Sequence, residues 1–141
     1  MPSAENIYNI DINSREIDPP QFLSVEEDHA SETVYFIVDR YADYMDLADT
    51  CCMVQYINAK GNHYFYTVPF YDIYTYHKQQ KMLIPWVLDR NIAAKEGIVH
   101  FSLQFFKIIK EFNVETGKYE SKIGYSLNTL PATSKILKGI D

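Results

Sequence analysis

From Ile98 to Phe105 the sequence alternates strictly, with Val99, Phe101, Leu103 and Phe105 apolar and His100, Ser102 and Gln104 polar between them. Side chains of an extended strand point to opposite faces in turn, so this run predicts a strand with one face in a core and the other toward water. The same period recurs in Cys51–Asn58, where Cys52, Val54 and Tyr56 share a face. In Lys81–Leu88 it unites Met82, Ile84, Trp86 and Leu88, with Trp86 as the expected central core aromatic. Pro85 lies on the other face of that run; having no N–H for a ladder, it predicts a sheet edge or a bulge. Glu32–Asp39 is β-branched or aromatic on both faces, the pattern of a central strand covered on both sides.

Weaker signals complete the set. Asn6–Ile12 reads as a half-buried strand stopped by Asp18-Pro19-Pro20, and Phe22 and Val25 mark a short second one. Gly and Asn in Ala59-Lys60-Gly61-Asn62 supply the positive φ of a hairpin turn, from which His63–Phe70 returns. After a turn at Asn113–Lys118, Tyr119, Ile123, Tyr125 and Leu127 form the expected inward set of the last strand, with Glu120, Lys122 and Ser126 facing water. No amphipathic stretch is long enough for an ordinary helix; only residues 89–96 and 131–138 have room for a turn or two.

The sequence therefore predicts an all-β fold: an immunoglobulin-like antiparallel β-sandwich of 7–8 strands, without the Cys…Cys bridge of antibody domains, a small β-barrel being the alternative. Residues 1–127 are expected to form the sandwich and residues 128–141 a C-terminal arm or linker. Leu130, Ile136, Leu137 and Ile140 make that tail too apolar for a disordered segment, so it is expected to dock on a neighbour or to pack back as a single helical turn.

At 141 residues the chain is long enough to bury a substantial core without a staple. Its two cysteines, Cys51 and Cys52, are adjacent, which disfavours a bond between them and lacks the spacing of a zinc or redox motif. A net charge of −6 gives no positive field for nucleic acid, and the basic stretches 77–81 and 107–110 are short. No apolar run approaches a membrane span and no signal-peptide pattern opens the chain, so synthesis in a cytoplasm is expected.

A search for chemistry yields no catalytic, cofactor-binding or metal-ligating set. His29, His63, His77 and His100 are scattered, and no GxSxG, phosphate-cradling Gly loop or HExxH is present. Four carboxylates in Asp39–Asp49 invite calcium, but they lack the central Gly and spacing of an EF-hand, and Arg40 stands among them as a counter-charge. That loop is expected to be solvated and turn-forming. The chain holds twelve Tyr, and a second unusual stretch runs from Phe70 to Tyr76. Tyr71, Tyr74 and Tyr76 suit either sheet packing or a partner surface, because Tyr offers a large contact area while keeping a hydroxyl. Together with Leu130, Ile136 and Leu137 they are the candidate partner contacts.

The order of features carries a resemblance. Asp18-Pro19-Pro20 is followed by Val34–Tyr41, Asp46-Leu47 and Val54–Ala59, then by Val68–Asp72, Ile84-Pro85-Trp86, Gly97–Ser102 and Leu127–Ala132. This order resembles the N-terminal domain of the phage baseplate upper protein family and related structural proteins of tailed phages of Gram-positive bacteria, over nearly the whole chain. The resemblance implies a virion protein, assembled in the host cytoplasm, whose immunoglobulin-like domain anchors to the tail baseplate and presents host-binding parts on a C-terminal extension. The sequence ends at Asp141, so either the distal part lies outside it or the protein is the anchoring module alone. Implied partners are other phage structural proteins and further copies of the chain, with neither nucleic acid nor membrane. Capsid decoration or head-fibre anchoring is the alternative, and a carbohydrate-binding module with exposed aromatic platforms is a further one.

Overall fold

The computed structural model describes residues 6–26, 32–42 and 45–139. Along the chain these form β1 (Ile7–Asn9), β2 (Ser24–Val25), β3 (Glu32–Asp39), β4 (Tyr41–Ala42), β5 (Met45–Asp46), β6 (Cys51–Ile57), β7 (His63–Thr67), β8 (Asp72–Tyr76), β9 (Gln79–Leu88), β10 (Gly97–Asn113), β11 (Lys118–Asn128) and β12 (Ala132–Leu137). Eight of these are five residues or longer. Among the described residues, complete 3-10 turns occur at Leu47–Asp49 and Ile92–Ala94.

Two main sheets result. One has the order β1-β3-β9-β8; the other runs β2-β12-β10-β6-β7, with β11 also on β10. They meet face to face through aromatic rings. Phe101 of β10 lies 5.9 Å from Phe36 of β3 and 5.1 Å from Trp86 of β9, and Trp86 lies 5.7 Å from Tyr56 of β6. Trp86 is fully buried at this junction, as its place in the alternation predicts. Its indole Nε1 finds no hydrogen-bond partner among the described residues, so Trp86 acts here by apolar contact alone.

The chain is an all-β sandwich. Among the described residues its ladders are antiparallel except at two edges, where β1 runs parallel to β3 and β2 parallel to β12. Pro85 is buried opposite Tyr35 of β3, just past Leu83, where the pairing of β8 stops. From there β9 has a neighbour on one side only among the described residues, the local edge that a missing N–H requires. In β3, Val34, Phe36 and Val38 are buried while Tyr35 and Ile37 are half-buried, so its second face is less covered than its composition suggests.

Several segments differ from expectation. The first strand is shorter, with Ile10 joining Ile17 in an isolated bridge. Near β2 it is Leu23 and Ser24 that are buried, while Phe22 and Val25 are exposed. Residues 132–137, expected within an arm or a helical turn, form a strand antiparallel to β10. Alternation explains this: Ala132, Ser134 and Ile136 are buried, and the Ser134 hydroxyl donates to the Pro20 carbonyl at 2.7 Å. Ile140 lies outside the described residues.

Candidate functional site: a projecting β-ribbon

Strand β10 is seventeen residues long, far more than the sandwich uses. On one side β6 pairs with it over His100–Phe106. On the other, β12 covers Gly97–Phe101 and β11 takes over from Gln104 to Asn113. At the change of partner, buried Thr129 substitutes for a strand residue. Its backbone N–H donates to the Leu103 carbonyl at 2.9 Å, and its hydroxyl accepts the Leu103 N–H at 2.9 Å.

Beyond Phe106 only β10 and β11 remain among the described residues, a two-stranded ribbon closed by residues 114–117. At about 3.3 Å per residue, Lys107–Asn113 carries the chain about 23 Å past the last residue that β6 supports. The turn is well formed. Gly117 adopts φ +69 and donates its N–H to the Asn113 carbonyl at 2.8 Å, while the Asn113 side chain accepts the Glu115 N–H at 2.9 Å.

The last strand departs most from its expected inward set: only Leu127 is buried. Tyr119 is 71% exposed, and Ile123 and Tyr125 are more than half exposed. The register explains why. Lys107 pairs with Tyr125 but Ile108 pairs with Ile123, so Gly124 is the extra residue of a β-bulge. A one-residue slip exchanges the faces of everything beyond it. Tyr125 and Leu127 share the core-side face, whereas Ile123 and Tyr119 stand on the opposite one, across from Ile108 and Phe112. Glycine leaves room here for the Ile109 side chain, which a Cβ on residue 124 would approach to 2.8 Å and force to shift.

The result is an exposed apolar face on a thin element. Ile108 faces Ile123, and Phe112 faces Tyr119 with ring centroids 5.2 Å apart in an edge-to-face arrangement. Val114, at the tip, is 85% exposed. Single exposed apolar residues are ordinary, but a contiguous group marks an interaction surface. A lone two-stranded ribbon is only marginally stable in water, so this one gains by being covered. Among its charges, Glu111 and Glu120 stand directly opposite each other; Lys122 pairs with Glu111, and Asn113 donates to Glu120 at 3.0 Å.

At the ribbon's root lies a cleft of about 570 Å³ lined by Arg15, Asp46, Asp49, Lys107 and Tyr125 among others. Lys107 reaches Asp49 at 3.1 Å and so ties the root to the 3-10 turn. Asp46 caps that turn by accepting the Ala48 N–H and receives two hydrogen bonds from the Arg40 guanidinium, each 2.9 Å. The Arg40 hydrogen bonds hold the Asp46 carboxyl below the usual carboxylate range. Asp39 pairs with Lys81. Thus Asp39, Asp46 and Asp49 each engage a separate cation, and no metal-ligating cluster occurs among the described residues. Asp43 lies outside them.

The candidate contacts of the sequence stretch 70–76 separate. Tyr71 packs on the core and donates its hydroxyl to the Thr50 carbonyl at 2.7 Å; burial pushes that phenol's pKa up. Tyr74 is half-buried and Tyr76 exposed on β8, an edge strand. Of the tail residues, Ile136 is in the core, while Leu130 and Leu137 reach the surface. Cys51 is exposed and Cys52 buried on opposite faces of β6, both as free thiols. The ribbon itself was visible in sequence only as an alternating strand, and its bulge had one signal, Gly124 within an otherwise β-prone run. No family model matches the chain, and no curated protein matches it either.

Proposed function

We propose that this chain is a structural protein of a tailed-phage virion, a non-enzymatic anchoring sandwich that docks to the tail baseplate and presents host-binding parts. The observation that carries the docking is the ribbon. Ile108, Phe112, Tyr119 and Ile123 hold an apolar face away from the sandwich core, on an element too thin to need them for packing. The virion context rests on the order of motifs from Asp18-Pro19-Pro20 to Leu127–Ala132. The carbohydrate-binding reading has less support, because the Tyr71 hydroxyl is engaged by Thr50 and leaves Tyr76 as the more open ring of that stretch.

The test is assembly of particles in which the chain carries Ile108→Ser and Phe112→Ser. The expected result is particles lacking the protein, although the variant accumulates as a folded species. Incorporation at the normal level would overturn the ribbon as the docking element. Cross-linking of the unaltered chain in intact particles identifies its neighbours: tail proteins support the baseplate assignment, and capsid-shell proteins would replace it with head decoration.

A further inference from the structure

We infer that the ribbon docks onto the ribbon of a second copy of this chain, edge to edge through β11, about a two-fold axis at Ser121; this rests on the reading of the ribbon as the docking element. Among the described residues β11 pairs with β10 alone, so its other edge offers unpaired N–H and C=O groups to a further strand. The bulge at Gly124 and the turn at Gly117 bound a regular stretch, Lys118–Ile123, where such pairing is undisturbed.

That stretch is complementary to itself when antiparallel. With Ser121 opposite Ser121 of the second copy, Glu120 meets Lys122 and Tyr119 meets Ile123, and each pair occurs twice by symmetry. Opposite charges and aromatic–β-branched neighbours are the cross-strand pairs that stabilise antiparallel ladders. A register displaced by two residues, with Glu120 opposite itself, sets like charges against each other.

The pairing also relieves a tension within one copy. Glu111 and Glu120 are direct neighbours across the ribbon, and the ion pair that Lys122 makes there goes to Glu111. Lys122 of the second copy, which pairs with Glu111 of its own copy, then also stands beside Glu120, so that each Lys122 is shared between two carboxylates. On the other face, rows of Phe112, Tyr119, Ile123 and Ile108 run continuously through four strands, converting two thin ribbons into one sheet with an apolar side. The same register lays the turn 114–117 of the second copy alongside Tyr125–Leu127, at the cleft by the ribbon's root.

The experiment uses the full chain. Sedimentation should show a dimer. Glu120→Lys and Lys122→Glu should each weaken association about tenfold or more by creating two like-charge pairs, whereas the double exchange restores it. In a Cys51→Ser background, Ser121→Cys should form an intermolecular disulfide under mild oxidation, because directly opposite Cα atoms of antiparallel strands lie about 4.5–5.5 Å apart. Lys118→Cys, whose opposite residue is Gly124, should not. A monomer at the highest soluble concentration, failure of the double exchange to restore the dimer, or equal cross-linking at 118 would each overturn the inference. A monomer that still requires Ile108 and Phe112 for particle incorporation overturns the two-fold pairing but not the docking reading. A dimer whose Ile108→Ser, Phe112→Ser variant enters particles normally upholds the pairing and removes the docking reading.

Discussion

Thr129 shows how much one side chain does where two strands share an edge. β11 ends and β12 begins along the same side of β10, and Leu103 lies between their ladders. The Thr129 hydroxyl satisfies its N–H in a buried site. Thr129→Val keeps the shape and removes the acceptor, so it should cost about 1–3 kcal/mol, the penalty of an unsatisfied buried donor. Urea unfolding followed by Trp86 fluorescence measures it, and an unchanged midpoint would contradict the assigned role. Nothing in Leu127-Asn128-Thr129-Leu130 distinguishes Thr129 from a loop residue, because its acceptor role depends on a partner twenty-six positions away. Trp86 is the opposite case, since its own neighbours in Met82–Leu88 already define its face.

Among elements, the β8–β9 hairpin bears strain that the chain's composition does not announce. Its two-residue connection, His77-Lys78, has φ of 48 and 66, both in the left-handed region. L-residues pay about 1–2 kcal/mol there, which Asn and Gly largely avoid. The variant His77→Asn, Lys78→Gly should therefore raise stability by about 1 kcal/mol, seen as a higher denaturant midpoint at unchanged slope. A destabilised variant would mean that the Tyr76–His77 ring contact, with centroids 4.2 Å apart, outweighs the strain. β3 was legible from its β-branched and aromatic composition, which overstated the cover on its second face, whereas period-two alternation made β6, β9 and the first half of β10 legible, since each is pinned by a core on one face. The ribbon was not legible for the same reason reversed. With no core beside it, exposed Tyr119 and Ile123 look like buried residues, and the bulge at Gly124 exchanges faces without disturbing the apparent period.

At the scale of the molecule, the sandwich and the ribbon are separable. The ribbon's side chains from Lys107 to Tyr125 lie outside the fully buried core. Replacing residues 108–123 by a short Asn-Gly turn that still joins β10 to β11 should leave near-ultraviolet circular dichroism of the Trp86 cluster intact, while abolishing self-association and incorporation into particles. Loss of the native spectrum would show that the ribbon is part of the folding unit. The charges divide in the same way: residues 107–123 hold four Lys and three Glu within a chain of net charge −6, so the ribbon is positive on an acidic body.

One further property follows from the continuity of β10. A pull applied at the ribbon travels along a single strand into the centre of the larger sheet, where β6 and β12 flank it. Tension along that strand loads the flanking ladders in shear, so their hydrogen bonds must fail together rather than unzip singly. A chain built this way should bear mechanical load in its sandwich core and yield first at the ribbon.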